Sequence, residues 1–160
     1  MASDYLLEID GIKGDSQDAK HKETIEVTNF GWGASNSGSF AHGAGGGSGK
    51  VSAQNFHFST HVSKASPLIL GRCATGEHIK KATLYVRKAG KDQLDYYIWK
   101  FTDLLITSYQ THGGGAELPQ EEISFDCAQL EINYSPQKND GTLGSPIVFK
   151  YDFQKSQSPS

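Results

Sequence analysis

The feature that most constrains this chain is an alternation of apolar and polar positions with a period of two. In the segment DYLLEIDGI, Tyr5, Leu7 and Ile9 fall on alternate positions, and Phe56 and Phe58 do the same in QNFHFSTHV. A period of two places alternate side chains on one face of a β-strand, whereas a helix repeats every 3.6 residues. The pattern therefore predicts a mainly β fold in which each strand buries one face.

Segments of this kind recur along the chain and predict about seven strands, a number typical of β-sandwiches and β-barrels. They are residues 4–12, 24–32, 54–62, 81–89, 94–111, 122–136 and 147–153. The fifth of these is long, aromatic and free of Gly and Pro, so we expect its strand to extend past the edge of the core. In the last segment we expect either Val148 or Phe149 to face inward.

The alternation slips by one residue at two places. In TIEVTNFGW the apolar positions pass from Val27 to Phe30, and in EISFDCAQLEINYSP they pass from Cys127 to Leu130. A slip of this kind indicates a β-bulge or a strand that is covered on both faces. Both places are therefore expected to be irregular within their strands.

One segment, SKASPLILGRCATGEH, departs from the alternation and predicts a short helix at about residues 64–75. Ser66 before Pro67 suits an N-cap followed by the first helical residue, and Ser63 is an alternative start one turn earlier. Gly76 suits the C-terminal cap. Because an isolated helix of this length is marginal in water, we expect it to lie against the sheet.

Length and charge bound the class of protein. The 160 residues suit one domain, which we expect to span residues 1–153 and to be followed by a flexible polar tail at 154–160. A net charge of −3 argues against nucleic acid or an anionic membrane as a partner. No apolar run approaches the length of a membrane span, and the N-terminus lacks the basic region of a secretory signal.

The cysteine content favours a reducing compartment. Cys73 and Cys127 are too few and too far apart in the chain for a disulfide framework. The simplest interpretation is a pair of reduced thiols in a cytoplasmic protein, although the two side chains could still meet in space. We expect neither membrane insertion nor a nucleic-acid partner.

The stretch HGAGGGSGKVS has the look of a phosphate-binding loop but fails its pattern. In G-x-x-x-x-G-K-[ST], the pair Gly49 and Lys50 requires glycine at position 44 and a hydroxyl residue at position 51. Ala44 and Val51 stand there instead. The residues that follow predict a strand, not the helix whose N-terminus would hold a phosphate. We therefore interpret the stretch as a glycine-rich loop between two strands.

No residue is assigned to catalysis, to a cofactor or to a metal ion. His57 and His61 would lie about 13 Å apart on a strand, too far for one metal ion with bonds of about 2 Å, although a helix would bring them together. Cys73 lies among apolar residues with no partner base in sight, which favours a small buried side chain over a nucleophile. The expectation is a protein that is not an enzyme.

Two tryptophans leave a second interpretation open. Trp32 and Trp99 could form a stacking platform for a sugar or a base, although such residues more often belong to the core. The alternative function is therefore a soluble carbohydrate- or protein-binding β-sandwich module, and a hydrolase with a Cys or His nucleophile is a third hypothesis. Long strands with open edges are a hazard in a monomer but are useful when subunits assemble side by side. This feature favours an assembly protein.

Several stretches carry a further signal when they are taken together and in order. They are DYLLEIDGIKGDSQD, GWGASNSGS, GAGGGSGKVSAQNFHF, KASPLILGRCATGEHIKKATLYVRKAG, YYIWKFTDLLITS and INYSPQKNDG, and they cover nearly the whole chain. In this combination they resemble the Hcp (haemolysin-coregulated protein) family of bacterial type VI secretion tube proteins. The resemblance implies a small antiparallel β-barrel or sandwich of two sheets with one short helix at its side.

The resemblance also implies a function. Hcp proteins form hexameric rings with a wide central channel, and the rings stack into a tube inside a contractile sheath with a VgrG spike at its tip. The channel holds and stabilises small effector proteins. The expected location is the bacterial cytoplasm, with export to the extracellular space or a target cell without a signal peptide.

In this family an extended loop after the second strand helps rings to meet, which gives the glycine-rich loop a role. The corresponding residues are Ser39, Phe40, Ala41, His42, Gly43, Ala44, Gly45, Gly46, Gly47, Ser48, Gly49 and Lys50. Phe40 and His42 are the side chains that we expect to make the contact. Gly31, in NFGWGASN, is a candidate channel-facing residue.

Overall fold

A computed structural model describes residues 3–36, 51–88 and 93–155. The described part contains nine β-strands and one α-helix. The strands are β1 Ser3–Ile9, β2 Ile25–Gly31, β3 Ala34–Asn36, β4 Val51–Ala53, β5 Phe56–His61, β6 Ile79–Lys88, β7 Asp95–His112, β8 Gln120–Tyr134 and β9 Ile147–Asp152. The helix α1, Ser66–Thr75, connects β5 to β6.

Six of the strands close into an antiparallel barrel in the order β5, β2, β1, β6, β7 and β8, because β5 also pairs with β8. β9 continues the sheet outside the barrel by pairing with the C-terminal half of β8. β3 and β4 form a separate two-stranded sheet. The prediction of a mainly β fold is confirmed. Of the two expected forms, barrel and sandwich, the structure has the barrel. The alternation did not reveal β3 and β4, which have three residues each.

The two slips in the alternation have different structural causes. Between Val27 and Asn29 the pairing of β2 with β5 shifts by one residue, as a β-bulge does. The second slip lies where β7 and β8 stay in register, since Thr102 pairs with Gln129 and Leu104 with Cys127. Here Asp103 between them adopts a φ of 57°, and the buried face moves by one residue in both strands.

Aromatic side chains fill the interior of the barrel. The Phe56 ring centroid lies 4.8 Å from that of Phe101, 5.0 Å from that of Phe125 and 6.0 Å from that of Trp99. All four residues are buried, and their rings meet edge-to-face or tilted, which are favourable arrangements for aromatic pairs. The expectation that Trp99 belongs to the core is therefore met.

The helix packs on the barrel through Ile69, which is buried. Its C-terminal cap is Gly76, as predicted, with a φ of 71° and its N–H bonded to the Arg72 carbonyl. The expected N-cap at Ser66 is wrong by one residue, because Ala65 is the N-cap and Ser66 is already helical. The Ser66 hydroxyl is engaged elsewhere: it accepts a hydrogen bond from the Ser63 N–H and donates one to Glu121.

The last strand differs from its prediction. Val148 and Phe149 each keep 47% of their surface exposed, so neither faces inward as expected. The reason is topological: β9 lies outside the closed barrel and pairs only with β8 among the described strands. The buried residue of β9 is instead Asp152, which accepts hydrogen bonds from the Gln129 side chain and the Lys155 N–H.

Candidate functional site

β3 and β4 form a ribbon that carries the glycine-rich segment. Ala34 pairs with Ala53, and Asn36 pairs with Val51 at the far end. The residues of β3 are all exposed. Because the last pair of the ribbon flanks residues 37–50, this segment begins and ends at one point. The ribbon therefore fixes where the segment leaves and re-enters the described part of the chain.

The twelve residues expected to contact a neighbouring ring, Ser39 to Lys50, lie outside the described residues. The structure describes the strand that follows them. Val51 begins β4, so the segment leads into a strand and not into the N-terminus of a helix. The strand expected after the glycine-rich stretch is confirmed, with a break at Gln54 and Asn55 before β5 begins. The stacking role of the segment stays a prediction.

Gly31, the candidate channel-facing residue, lies half-buried at the end of β2 and pairs with His57 of β5. A Cβ atom at Gly31 would meet the His57 ring at 2.4 Å from Nε2, closer than real contacts allow. His57 is exposed, whereas its neighbours Phe56 and Phe58 point into the core. The open side of Gly31 therefore belongs to the outer face of the barrel, where the His57 ring covers it.

The two tryptophans contact each other but offer no open platform. Their ring centroids lie 5.9 Å apart with an interplanar angle of 74°. Trp99 is buried, and Trp32 packs against the core with its ring centroid 6.3 Å from that of Phe153. A sugar-binding platform needs an exposed aromatic face, so this arrangement does not favour the carbohydrate-binding alternative.

The histidines are spread over several elements. His57 and His61 both belong to the strand β5, so the helical spacing that would have let them share a metal ion does not apply. His21 contacts Asp95 at 2.9 Å and stacks on Tyr85, while His78 contacts Asp103 at 2.7 Å. Among the described residues, no group of three His, Cys, Asp or Glu side chains is placed to hold a metal ion.

Both cysteines are free thiols that pack against the core. Burial, together with the neighbouring Asp126 carboxylate, raises the pKa of the Cys127 thiol to about 12. A nucleophilic cysteine needs a lowered pKa, so Cys127 has the opposite electrostatics. Cys73, on α1, packs beside the core but is only half-buried, whereas the sequence favoured a small buried side chain.

A buried carboxylate ties α1 to the strands beneath it. Glu121 is 1% exposed, and it accepts hydrogen bonds from the hydroxyls of Ser66 and Tyr109. Burial and the Glu121 carboxylate raise the pKa of Tyr109 to about 12. The sequence analysis missed this cluster, because its members lie on α1, β7 and β8 and meet only in the folded barrel.

A second polar cluster fastens the segment between β1 and β2 to the barrel. The Arg87 guanidinium is buried and donates hydrogen bonds to Asp18 and Asp4. The Arg87 guanidinium lowers the pKa of Asp18 to about 2. Burial acts in the opposite direction and raises this pKa, whereas hydrogen bonds from the N–H groups of His21 and Lys20 lower it further. The cluster has a structural role, since the Arg87 guanidinium pairs with the Asp18 and Asp4 carboxylates.

Among the described residues, large apolar side chains are exposed in three places, one of which is Leu68 and Leu70 on α1. The β9 surface consists of Tyr134, Ile147, Val148 and Phe149, at the end of β8 and along β9. The hairpin surface consists of Val62 and Leu118, which adjoin because the Val62 N–H donates to the Pro119 carbonyl. The sequence signal for the β9 surface was an apolar run, IVF, without alternation, but it was interpreted as one inward face.

Comparison with known proteins gives the barrel a family. The family profile "Type VI secretion system effector, Hcp" matches residues 6–134. Protein hcp1 of Pseudomonas aeruginosa is 36% identical over 159 residues, which cover 98% of each chain. The solved structure of Hcp1 from Salmonella typhimurium is 35% identical, with a TM-score of 0.84 over 99% of this chain and all of that one.

A further solved structure, of a type six secretion system protein, superposes with a TM-score of 0.92 at 29% identity and covers 99% of this chain and 100% of its own. The fold is thus that of a β-barrel class used in type VI secretion. The chain belongs to the Hcp family of type VI secretion tube proteins. Within its described residues, no helix is both long and apolar enough to cross a bilayer.

Proposed function

We propose that this chain is the subunit of the inner tube of a type VI secretion system. In this proposal, hexameric rings of the chain stack into a tube inside the contractile sheath, below a VgrG spike. The channel carries small effector proteins out of the bacterial cytoplasm without a signal peptide, and residues 1–153 form the one domain that does so. The observation that carries the proposal is the match to Protein hcp1 over 98% of both chains.

The described surfaces support an assembly function. A protein that works alone has little use for large apolar side chains exposed along a strand, because contiguous exposed apolar patches mark interaction sites. The β9 surface provides such a patch. In the part of the chain that the structure describes, neither a metal cluster nor an exposed tryptophan platform competes with this interpretation.

In this proposal the glycine-rich segment contacts a neighbouring ring and Gly31 faces the channel. The ribbon of β3 and β4 presents residues 39–50 to the next ring of the stack, and glycines permit the close backbone approach that such a contact needs. In this proposal Gly31 lies on the channel wall beneath the His57 ring, which a Cβ atom at position 31 would meet at 2.4 Å.

Negative-stain images of the purified protein at high concentration test the proposal. We expect annular particles with a central hole, together with short stacks of rings. A field of small compact particles without annuli, at every concentration tried, would contradict it. Images of a folded β-barrel of similar size from outside the family serve as the control for stain artefacts.

A further inference from the structure

We infer that the channel of this protein takes proteins with cationic surfaces as cargo and holds them through polar and charged contacts. The inference rests on the proposed function, in which Gly31 lies on the channel wall, and it adds the chemistry of what that wall binds. The wall is the outer side of β2, of β5, of residues 105–112 of β7 and of residues 120–126 of β8. We call this surface the His57 face.

The four strands of the His57 face are neighbours in the barrel. β2 pairs with β5, β5 pairs with the start of β8, and β8 pairs with β7. Two rows of paired residues cross the strands: Gly31, His57 and Ser124 in the first, and Ser59, Glu122 and Gln110 in the second. Since paired residues project to the same side of an antiparallel sheet, these side chains share one continuous face.

The His57 face is polar because its strands bury their alternate residues. On β8, Ile123 and Phe125 are buried, whereas Glu122 and Asp126 are exposed. The large apolar side chains that the described residues expose lie elsewhere, on α1, on the β9 surface and on the hairpin surface. Burial of apolar area therefore contributes little to a contact with this face, and hydrogen bonds and charge must supply its specificity.

Cationic side chains are missing from the strands of this face. Residues 23–49, 51–63 and 101–137 contain neither lysine nor arginine. The carboxylates of Glu26, Glu122 and Asp126 are exposed on it. The ion pairs within the described part of the chain use other carboxylates, so these three keep their negative charge without a cationic partner.

The opposite side of the barrel shows what a neutralised surface looks like in this protein. There, Glu131 lies between two lysines, 3.5 Å from the Nζ atom of Lys100 and 3.6 Å from that of Lys150. β6 adds Lys80, Lys81 and Lys88 on its own account. Positive charge is thus concentrated on β6, β7 before residue 101 and β9, and unpaired negative charge remains on the His57 face.

A ring would multiply this asymmetry. In the proposed function every copy turns its His57 face to the same channel, so a concave wall of one sign surrounds the cargo. Concave walls lined by one sign of charge focus the electric field and raise the local concentration of oppositely charged partners. Lysine and arginine side chains of a cargo protein can donate to the carboxylates, and the Gln110 and Ser124 side chains can exchange hydrogen bonds with its polar groups.

Two labelled peptides test the chemistry of the wall. One is a repeat of Lys and Gly, and the other has Glu in place of each Lys. We expect fluorescence anisotropy to show that rings of the unaltered protein bind the cationic peptide and not the anionic one. Binding should disappear at about 1 M salt, where the Debye length falls to about 3 Å. The buffer is kept at about pH 8, above the ordinary titration range of histidine.

A pair of double variants locates the binding. Glu122→Gln with Asp126→Asn removes two carboxylates from the His57 face. It should weaken binding of the cationic peptide by about tenfold, because an exposed ion pair contributes up to roughly a factor of five. Glu8→Gln with Asp10→Asn, at exposed positions on and after β1, changes the net charge equally and should leave the affinity within about twofold of the unaltered value.

A charge reversal keeps the test sharp if neutralised variants fold poorly. Glu122→Lys with Asp126→Lys should bind the anionic peptide and no longer bind the cationic one. Because this variant gains binding, a positive result cannot arise from unfolding. Light scattering on each variant reports separately whether rings have formed.

The outcomes distinguish this inference from the proposed function. Rings that bind both peptides alike, or that lose equal affinity in the two double variants, would overturn the inference and leave the tube subunit proposal standing. A charge reversal that forms rings but does not exchange its peptide preference would also overturn it. An unaltered protein that never forms rings would overturn the proposed function, and the inference with it.

Discussion

The Ser66 hydroxyl at the start of α1 donates a hydrogen bond of 2.8 Å to the carboxylate of Glu121 on β8. The Tyr109 hydroxyl on β7 donates to the other oxygen of the same carboxylate. Since Glu121 is buried, these donors take the place of water. The contact joins the helix to the two strands that lead into the hairpin surface.

Replacing Glu121 by alanine removes the buried acceptor to which the Ser66 and Tyr109 hydroxyls donate. We expect Glu121→Ala to lower the free energy of unfolding by about 1–3 kcal/mol, measured by urea denaturation. Glu122→Ala, at the exposed neighbouring position, is the control and should change it by no more than about 0.5 kcal/mol. Equal effects of the two variants would show that the carboxylate contributes nothing specific.

Asp18 should make the stability depend on pH in acid. The Arg87 guanidinium lowers the pKa of Asp18 from 3.8 to about 2. The folded protein favours the charged form of Asp18 more than the unfolded protein does. The stability that this adds is present above about pH 4 and is lost as the pH falls towards 2. Asp18→Asn should therefore lower stability at neutral pH by about 1–2 kcal/mol and reduce the loss below pH 4.

The check for Asp18 is urea denaturation at several pH values between neutrality and strong acid. Asp10→Asn, at an exposed position outside the Arg87 cluster, is the control and should keep the acid dependence of the unaltered protein. Parallel curves for Asp18→Asn and the unaltered protein below pH 4 would show that the ion pair with Arg87 does not govern this region.

Cys127 should resist alkylation in the folded protein. Burial raises the pKa of its thiol to about 12, and alkylation requires the thiolate. We expect iodoacetamide at pH 8 to leave Cys127 unmodified until the protein is unfolded in urea, as peptide mass mapping would show. Modification at the same rate with and without urea would contradict the packing of this side chain against the core.

Phe56 lies at the centre of the aromatic core, in contact with Phe101 and Phe125. Phe56→Ala should cost about 3–5 kcal/mol of stability, because it removes a buried ring and leaves a cavity. The control is Leu70→Ala on the exposed face of α1, which should cost about 0.5 kcal/mol or less. Urea midpoints that agree for the two variants would place Phe56 outside the core.

Removal of residues 44–49 tests the proposed role of the glycine-rich segment. The deletion lies beyond the pair Asn36–Val51 that ends the ribbon, so we expect the hexamer to form as before. Stacking of rings into tubes should weaken, as counted in negative-stain images. Rings of the deletion variant that stack as well as rings of the unaltered protein would contradict the role assigned to this segment.

The sequence predicted the elements better than their surroundings. Period-two alternation depends on local contacts, so it located β1, β5 and β7, and a bulge followed from the slip after Val27. Whether a strand is covered depends on topology, which no local pattern records. One of Val148 and Phe149 was therefore expected to face inward, and both are exposed.

The same limit applies to polar side chains at the candidate sites. Ser66 fitted the pattern of an N-cap, but its hydroxyl is taken by Glu121, 55 residues away in the chain. Gly31 was selected without any sign that the His57 ring on the adjacent strand covers it. Contacts between residues so distant in sequence arise only when the barrel closes.

The mass of the protein in solution, measured by light scattering over a range of concentrations, tests the central claim most directly. A subunit of a tube should show a mass close to six times the 17.4 kDa of one chain, with larger species as the concentration rises. A constant mass of one chain at the highest concentration would contradict the claim that this barrel is a ring-forming subunit.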